Sequence, residues 1–281
     1  MQIIFTKILS KILCLFPDRF IINVVEVLSP FLILVFNKNL KVFIKNNSVA
    51  FPRMSKKEIE CISRATVVNR AINMLLGIKY SACEINKAQF KIETKQDSDF
   101  LTGVGKKPII IIMPHLGANL ITALCLSSTY KVNAFIPLRK TNNPAMDQYI
   151  SQHYSRMLLK CSITGTNTMD TIDNVLKENG IAILLLDSVG NNKYVQKVSF
   201  FGKPFLISTT PLWLSKKYNA SVYSISPYIS RDGIINIEIF PQIKLENNIH
   251  DAEKLATCLE EMIEKHPGYW QLPDNYWVHV E

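Results

Sequence analysis

The sequence predicts an α/β fold: a mainly parallel central sheet flanked by helices, preceded by N-terminal membrane-associating helices. Three observations carry this expectation. Two pure apolar runs, Ile109–Met113 and Ile181–Leu186, read as buried central strands. From residue 109 onward strand-like and helix-like segments alternate, the pattern of a parallel sheet covered by helices. And between Met1 and Lys57 nine Lys/Arg stand against two acids, a balance of +7 beside the most apolar stretch of the chain.

Taken in order, Met1–Phe16 interleaves Ile3, Ile4, Ile8, Ile12, Leu13 and Leu15 with Lys7 and Lys11, as an amphipathic helix does. Pro17-Asp18-Arg19 breaks it. Phe20–Phe36 follows as an apolar helix of 17 residues. At 1.5 Å per residue it reaches about 25 Å, short of the roughly 30 Å hydrocarbon core. Glu26 and Pro30 weaken a spanning role further, so a monotopic or shallowly embedded anchor is expected ahead of a true span or a buried helix. No small-residue cleavage site follows, which argues against a removable signal peptide. Asn46–Phe51 reads as a polar turn ending at Pro52. Ser55 with Glu58 forms a capping box that opens a helix over Lys56–Leu76, stopping at Gly77. Asp97–Lys107 reads as a loop.

The alternation then begins. Ile109–Met113 is the first strand and Ala118–Ser128 its helix. Val132–Pro137 is a strand, Pro144–Lys160 an amphipathic helix and Ser162–Thr164 a short strand. Met169–Glu178 is a helix with Gly180 as its C-cap. Ile181–Leu186 is the second buried strand and ends in Asp187. Thr209–Tyr218 is a helix, and Ser221–Ser226 and Ile234–Phe240 are strands, the latter after the Arg231-Asp232-Gly233 turn. Asp251–Lys265 closes as a helix. The length suits one elaborated domain, divided into a membrane-associating segment, residues 1–45, and an α/β domain, residues 46–281.

Composition narrows the function classes. Apolar residues are 48% of the chain and the mean hydropathy is +0.11, far too low for a multi-span membrane protein. The six cysteines are scattered, with no C-x-x-C pair and no nearby His to complete a zinc set, so no metal site is expected. They read as reduced thiols of a cytosol-facing protein. The basic excess lies beside apolar sequence, as suits an anionic membrane surface. No zinc finger, RNP-type strand or basic helix accompanies it, so nucleic acid is not an expected partner.

His115 follows the first buried strand and precedes Leu116-Gly117-Ala118-Asn119. Ligands of open α/β sheets sit at the carboxyl ends of strands, so a His there is placed to act as a general base; a structural His is an equal alternative. Met113-Pro114-His115-Leu116-Gly117 resembles the His-Leu-Gly block of the bacterial lipid A late acyltransferases (the lauroyl/myristoyl transferase family), part of the wider glycerolipid and lysophospholipid acyltransferase group. Four further segments agree in order and spacing. Asn46–Ser55, with Phe51-Pro52-Arg53-Met54-Ser55, is similar to that family's Asn…Phe-Pro segment. Phe135–Arg139 with Asn143-Pro144 and Arg156 resembles its Arg/Pro block. Val198–Pro204, after Asp187, resembles its Phe-Phe-Gly-x-Pro block, with Thr209 and Thr210 continuing it. His266-Pro267-Gly268-Tyr269-Trp270 is similar to its His-Pro-x-x-Trp.

The resemblance runs from about Asn46 to the end and implies an acyltransferase working at the cytoplasmic face of a bacterial inner membrane. It implies an acyl carrier protein or coenzyme A thioester as donor, a hydroxyl or amine of a lipid-like acceptor, and no tightly bound cofactor. The family's defining element is H-x-x-x-x-D/E, in which the acid orients the imidazole that deprotonates the acceptor. Here the fifth residue after His115 is Leu120, which can do neither. Three readings stay open: Asn119 orients the ring; Asp187, from the neighbouring strand end, supplies the carboxylate; or turnover is lost and the protein is an accessory that binds lipid or acyl carrier. Arg139 and Arg156, with Lys140, Lys193 and Lys203, are candidate phosphate ligands, because the guanidinium fork holds two phosphate oxygens at once. A structural salt bridge for Arg156 and simple solvation for the lysines are the rival readings. Gly202 and Phe201 are candidate substrate-binding positions, set against a tight turn and core packing. Trp270 and Trp277 suit either a lipid interface or the core.

Overall fold

Strand β2 (Ile109–Met113) is the middle of the sheet, and every one of its side chains is fully buried. The computed structural model describes residues 2–85, 89–95, 99–138, 143–145, 147–148, 154, 158–163, 168–188, 194–246 and 248–272. Around β2 stand β1 (Phe90–Thr94), β3 (Ala134–Leu138), β4 (Leu159–Ile163), β5 (Ile181–Leu185), β8 (Ser221–Ile229) and β9 (Ile235–Ile239), in the order β1-β9-β8-β2-β5-β3-β4. All described ladders of this sheet are parallel except β8–β9. A separate antiparallel hairpin is made by β6 (Val195–Phe200) and β7 (Lys203–Ser208). The fold is therefore α/β with a mostly parallel seven-stranded sheet flanked by helices.

The period-2 alternation of β2 divides the core in two. Ile109, Ile111 and Met113 enter a layer shared with α1 (Gln2–Cys14), α2 (Asp18–Val27), α5 (Lys56–Tyr80) and α7 (Asn119–Tyr130), through Leu13, Ile21, Ile22, Val25, Leu76 and Ala123. Ile110 and Ile112 enter the other, with α8 (Thr168–Lys177), α9 (Thr210–Tyr218) and α10 (Asp251–Lys265), through Val175, Leu214, Leu255 and Leu259. Each such buried aliphatic side chain contributes about 1.5–3 kcal/mol.

Several sequence expectations need correction. Phe20–Phe36 is two helices, α2 and α3 (Ser29–Val35), broken at Leu28 just before Pro30, which has no N–H to continue the ladder. Among the described residues no helix is long and apolar enough to cross a membrane. Asn46–Ala50 is not a turn but the end of α4 (Asn37–Ala50), because tertiary partners take the side-chain N–H groups of its asparagines: Asn46 Nδ2 donates to Leu272 O (3.2 Å) and Asn47 Nδ2 to Ser63 Oγ (3.0 Å). The Ser55/Glu58 capping box is present, but α5 runs through Gly77 to Tyr80. Tyr80 is fully buried there, and that packing outweighs the roughly 1 kcal/mol a mid-helix glycine costs. The 97–107 loop contains a short helix, α6 (Phe100–Gly103), pinned by wholly buried Phe100. At the end of α8 the left-handed residue is Asn179 (φ 55°), not Gly180. The helix expected to reach Lys160 gives way to β4 by Leu159; most of it lies outside the described residues.

Candidate active site

The parallel register carries β2 and β5 side by side, Met113 opposite Leu185. Two residues beyond each strand end stand His115 and Asp187, at the carboxyl edge of the sheet. Leu186 N–H still donates to Met113 O (3.1 Å), so the pairing persists past the last ladder position. The two side chains meet: His115 Nδ1 lies 2.6 Å from Asp187 Oδ1. Asp187 Oδ2 accepts the backbone N–H of His115 (2.9 Å) and the indole N–H of Trp270 (2.9 Å).

Asp187 is completely buried. Removing a carboxylate from water costs several kcal/mol unless hydrogen bonds replace its hydration, and three donors converge on this one. A carboxylate only accepts, so Nδ1 carries the proton in this pair and Nε2 is the ring's basic nitrogen. The His115 side chain keeps 26% of its surface, so a molecule in solution can reach the ring while the acid stays dry.

The loop between strand and helix holds this geometry by close backbone packing. Gly117 has φ +57°, and a Cβ there would sit 2.2 Å from Pro227 O, so only glycine lets the loop pass β8. The chain beyond α10 lies against the same loop. Gly117 N–H donates to Tyr269 O (3.0 Å), Gln271 N–H donates to His115 O (2.7 Å), and Leu116 and Trp270 form an antiparallel bridge.

The other candidate residues fall into place unevenly. An asparagine orients an imidazole through its amide oxygen, yet Asn119 Oδ1 has no hydrogen-bond partner among the described residues. Asn119 is the first residue of α7. Leu120, next along, packs half-buried against the core on the α7 side of the sheet. Phe201 and Gly202 are the two-residue loop of the β6–β7 hairpin, with φ +48° and +68°, the signs of a type I′ turn. For a phenylalanine that conformation is costly. It is held by the Phe201 N–H donating to Glu260, and by the ring lying against Phe51 (5.5 Å between centroids) and Trp270 (6.1 Å). Glu260 has its carboxyl pushed above the usual range by burial, partly offset by that N–H. Lys203 is exposed at the start of β7, opposite Phe200. Arg139, Arg156, Lys140, Lys193 and Trp277 lie outside the described residues.

Trp270 is 1% exposed, so it is a core residue and not an interfacial one. Its contact with Asp187 was not foreseeable from spacing. The only sequence signal was its place in the His-Pro-x-x-Trp block. The asparagines Asn46 and Asn69, which hold Leu272 O and Gly268 O (3.2 and 2.8 Å), carried no signal beyond the first one's place in the Asn…Phe-Pro segment.

With this geometry in hand, the chain compares as follows. The family model described as bacterial lipid A biosynthesis acyltransferase matches residues 2–278. No curated protein matches the chain.

Proposed function

The chain belongs to the bacterial lipid A biosynthesis acyltransferase family, and from that membership we propose that it transfers an acyl group from a carrier-protein or coenzyme A thioester to a hydroxyl or amine of a lipid-like acceptor. The observation that carries the reading is the 2.6 Å contact between His115 Nδ1 and buried Asp187. It supplies from a neighbouring strand the carboxylate that Leu120 does not.

In this reading the acceptor O–H or N–H donates to His115 Nε2. As the acceptor atom attacks the thioester carbonyl, its proton passes to Nε2, and Asp187 stabilises the imidazolium through Nδ1–H. Collapse of the tetrahedral intermediate breaks the C–S bond, and the departing sulfur takes the proton back from Nε2. The Trp270 and His115 backbone N–H donors hold Asp187 in place throughout. An accessory role without turnover rested on Leu120 alone, and the Asp187 contact favours catalysis over it.

The N-terminal layer supports work at a membrane surface. Phe5, Ile8, Leu15, Val27, Phe31 and Leu34 are exposed on α1–α3 and the turns between them. Lys7, Lys11, Arg19, Lys38, Lys41 and Lys45 are exposed on the same helices and α4. Exposed apolar side chains and cations on the same helices suit shallow insertion among anionic headgroups, and the proposal takes that surface to be the cytoplasmic face of the inner membrane.

The test is acyl transfer from a long-chain acyl thioester in the presence of anionic vesicles carrying a lipid A precursor. The expected result is labelled acyl-lipid product that depends on His115. Absence of both product and thioester hydrolysis, with acyl carrier protein and coenzyme A donors alike, would overturn the reading.

A further inference from the structure

We infer that Trp270 is a positioning residue for the His115–Asp187 pair, an inference that rests on the catalytic reading of that pair. A carboxylate can rotate about its Cβ–Cγ bond, and only one rotation delivers Oδ1 to the imidazole. Two N–H donors on Oδ2, the Trp270 indole and the His115 backbone, fix that rotation. A buried indole needs an acceptor, and any backbone carbonyl would satisfy it. This one is spent on the acid that orients the base.

The same residue's main chain acts on the other partner. Residues flanking Trp270 take the Gly117 N–H and donate to the His115 carbonyl, so the segment grips the histidine loop while its side chain grips the aspartate. Neither grip is loose at its far end. Asn69 of α5 donates to Gly268 O and Asn46 of α4 to Leu272 O, on either side of Trp270. The rings of Phe200 and Phe201 close on the indole at 6.4 and 6.1 Å. Three sequence segments far apart in the chain, the Asn…Phe-Pro stretch, the Phe-Phe-Gly hairpin and the His-Pro-x-x-Trp stretch, thus converge on one hydrogen bond to Asp187. The indole N–H acts on the ring through the acid and does not touch the substrate.

The test replaces Trp270 by benzothienylalanine through site-specific incorporation. That side chain keeps the ring's shape and packing and loses only the N–H; Trp270→Phe serves as the simpler second variant. Two quantities are read. The first is the kcat and KM of acyl transfer. The second is the far-downfield proton resonance of His115 Nδ1–H, identified by its loss in His115→Ala. The inference expects kcat to fall about 10- to 100-fold, the scale of losses when a group that orients a catalytic ligand is removed, with KM unchanged. It also expects the Nδ1–H resonance to shift upfield or broaden, while the midpoint of thermal unfolding in the benzothienyl protein stays near wild type. A benzothienyl variant with wild-type kcat and an unmoved resonance would overturn it. If wild-type protein shows no His115-dependent turnover, the catalytic reading fails, and the resonance alone still decides whether Trp270 positions the pair.

Discussion

Asp18 and Asp187 are both buried beside a basic partner, and their surroundings differ. Asp18, at the start of α2, accepts from Lys79 Nζ on one oxygen (2.6 Å) and from the Tyr80 hydroxyl on the other. Asp187 accepts from His115 at the same 2.6 Å and from Trp270. Around Asp18 every partner is sealed: the Lys79 side chain keeps 5% of its surface and Tyr80 none. Burial and the adjacent carboxylate push the Tyr80 hydroxyl far above its ordinary range. Around Asp187 the partner is a histidine whose ring reaches solvent at the open edge of a parallel sheet. A buried charge pair is therefore not in itself a sign of chemistry. What distinguishes the second pair is an imidazole partner that keeps 26% of its side-chain surface, where the Lys79 side chain keeps 5%.

Loss of the base sharpens this contrast through a large effect on rate. His115→Ala is expected to lower acyl-transfer kcat by about 10²- to 10⁴-fold, with an unfolding midpoint near wild type, measured by single-turnover acyl transfer and a denaturant titration. Asp18→Ala should do the reverse. It leaves Lys79 buried without its counter-charge, which costs about 3–5 kcal/mol, while the turnover of the folded fraction is unchanged. Urea unfolding alongside kcat separates the two, and a rate loss in Asp18→Ala without destabilisation would erase the distinction.

Leu120→Glu probes the position where an acid is usual. Leu120 packs against the core and His115 Nδ1 is already engaged, so the variant should lose about 1–3 kcal/mol of stability and gain no activity. A rise of tenfold or more would mean that the Asp187 pairing is insufficient. The smallest effect is a pH dependence. Burial holds His266 below its ordinary 6.5, partly offset by nearby Glu238, with Lys265 acting in the same direction as burial. Between pH 6.5 and that lower value the unfolded chain binds a proton that the folded chain does not. Stability therefore falls as pH falls through this window. Thermal unfolding should show the decline in wild type and a flatter profile in His266→Phe, whose ring still stacks on Tyr228.

How much of this was legible in the sequence follows from the same contrast. His115 and Asp187 are 72 residues apart, yet each ends a pure apolar run, and adjacent parallel strands bring their ends together by register alone. Asp18 and Lys79 are 61 apart, but their meeting depends on how α2 docks on α5, and no periodicity encodes a docking angle. Asp18 therefore read only as part of a helix break. The strands in the apolar stretches were visible for the same reason as the dyad. β1 was not, because its side chains alternate between half-buried and exposed in a polar stretch at the sheet edge. Asn46 and Asn47 read as turn formers because local propensity was the only information available; the partners that keep them helical lie 226 and 16 residues away. Leu120 pointed to a missing acid and left Asn119 and Asp187 open as substitutes; the cross-strand geometry sets Asp187 beside the ring.

The most direct test of the central claim is the acyl-transfer rate of Asp187→Asn relative to wild type. Asparagine keeps the shape of the site but removes the charge, and its amide favours the wrong imidazole tautomer. The account predicts a fall of roughly 10⁴-fold with folding intact. A rate within a few-fold of wild type would contradict it.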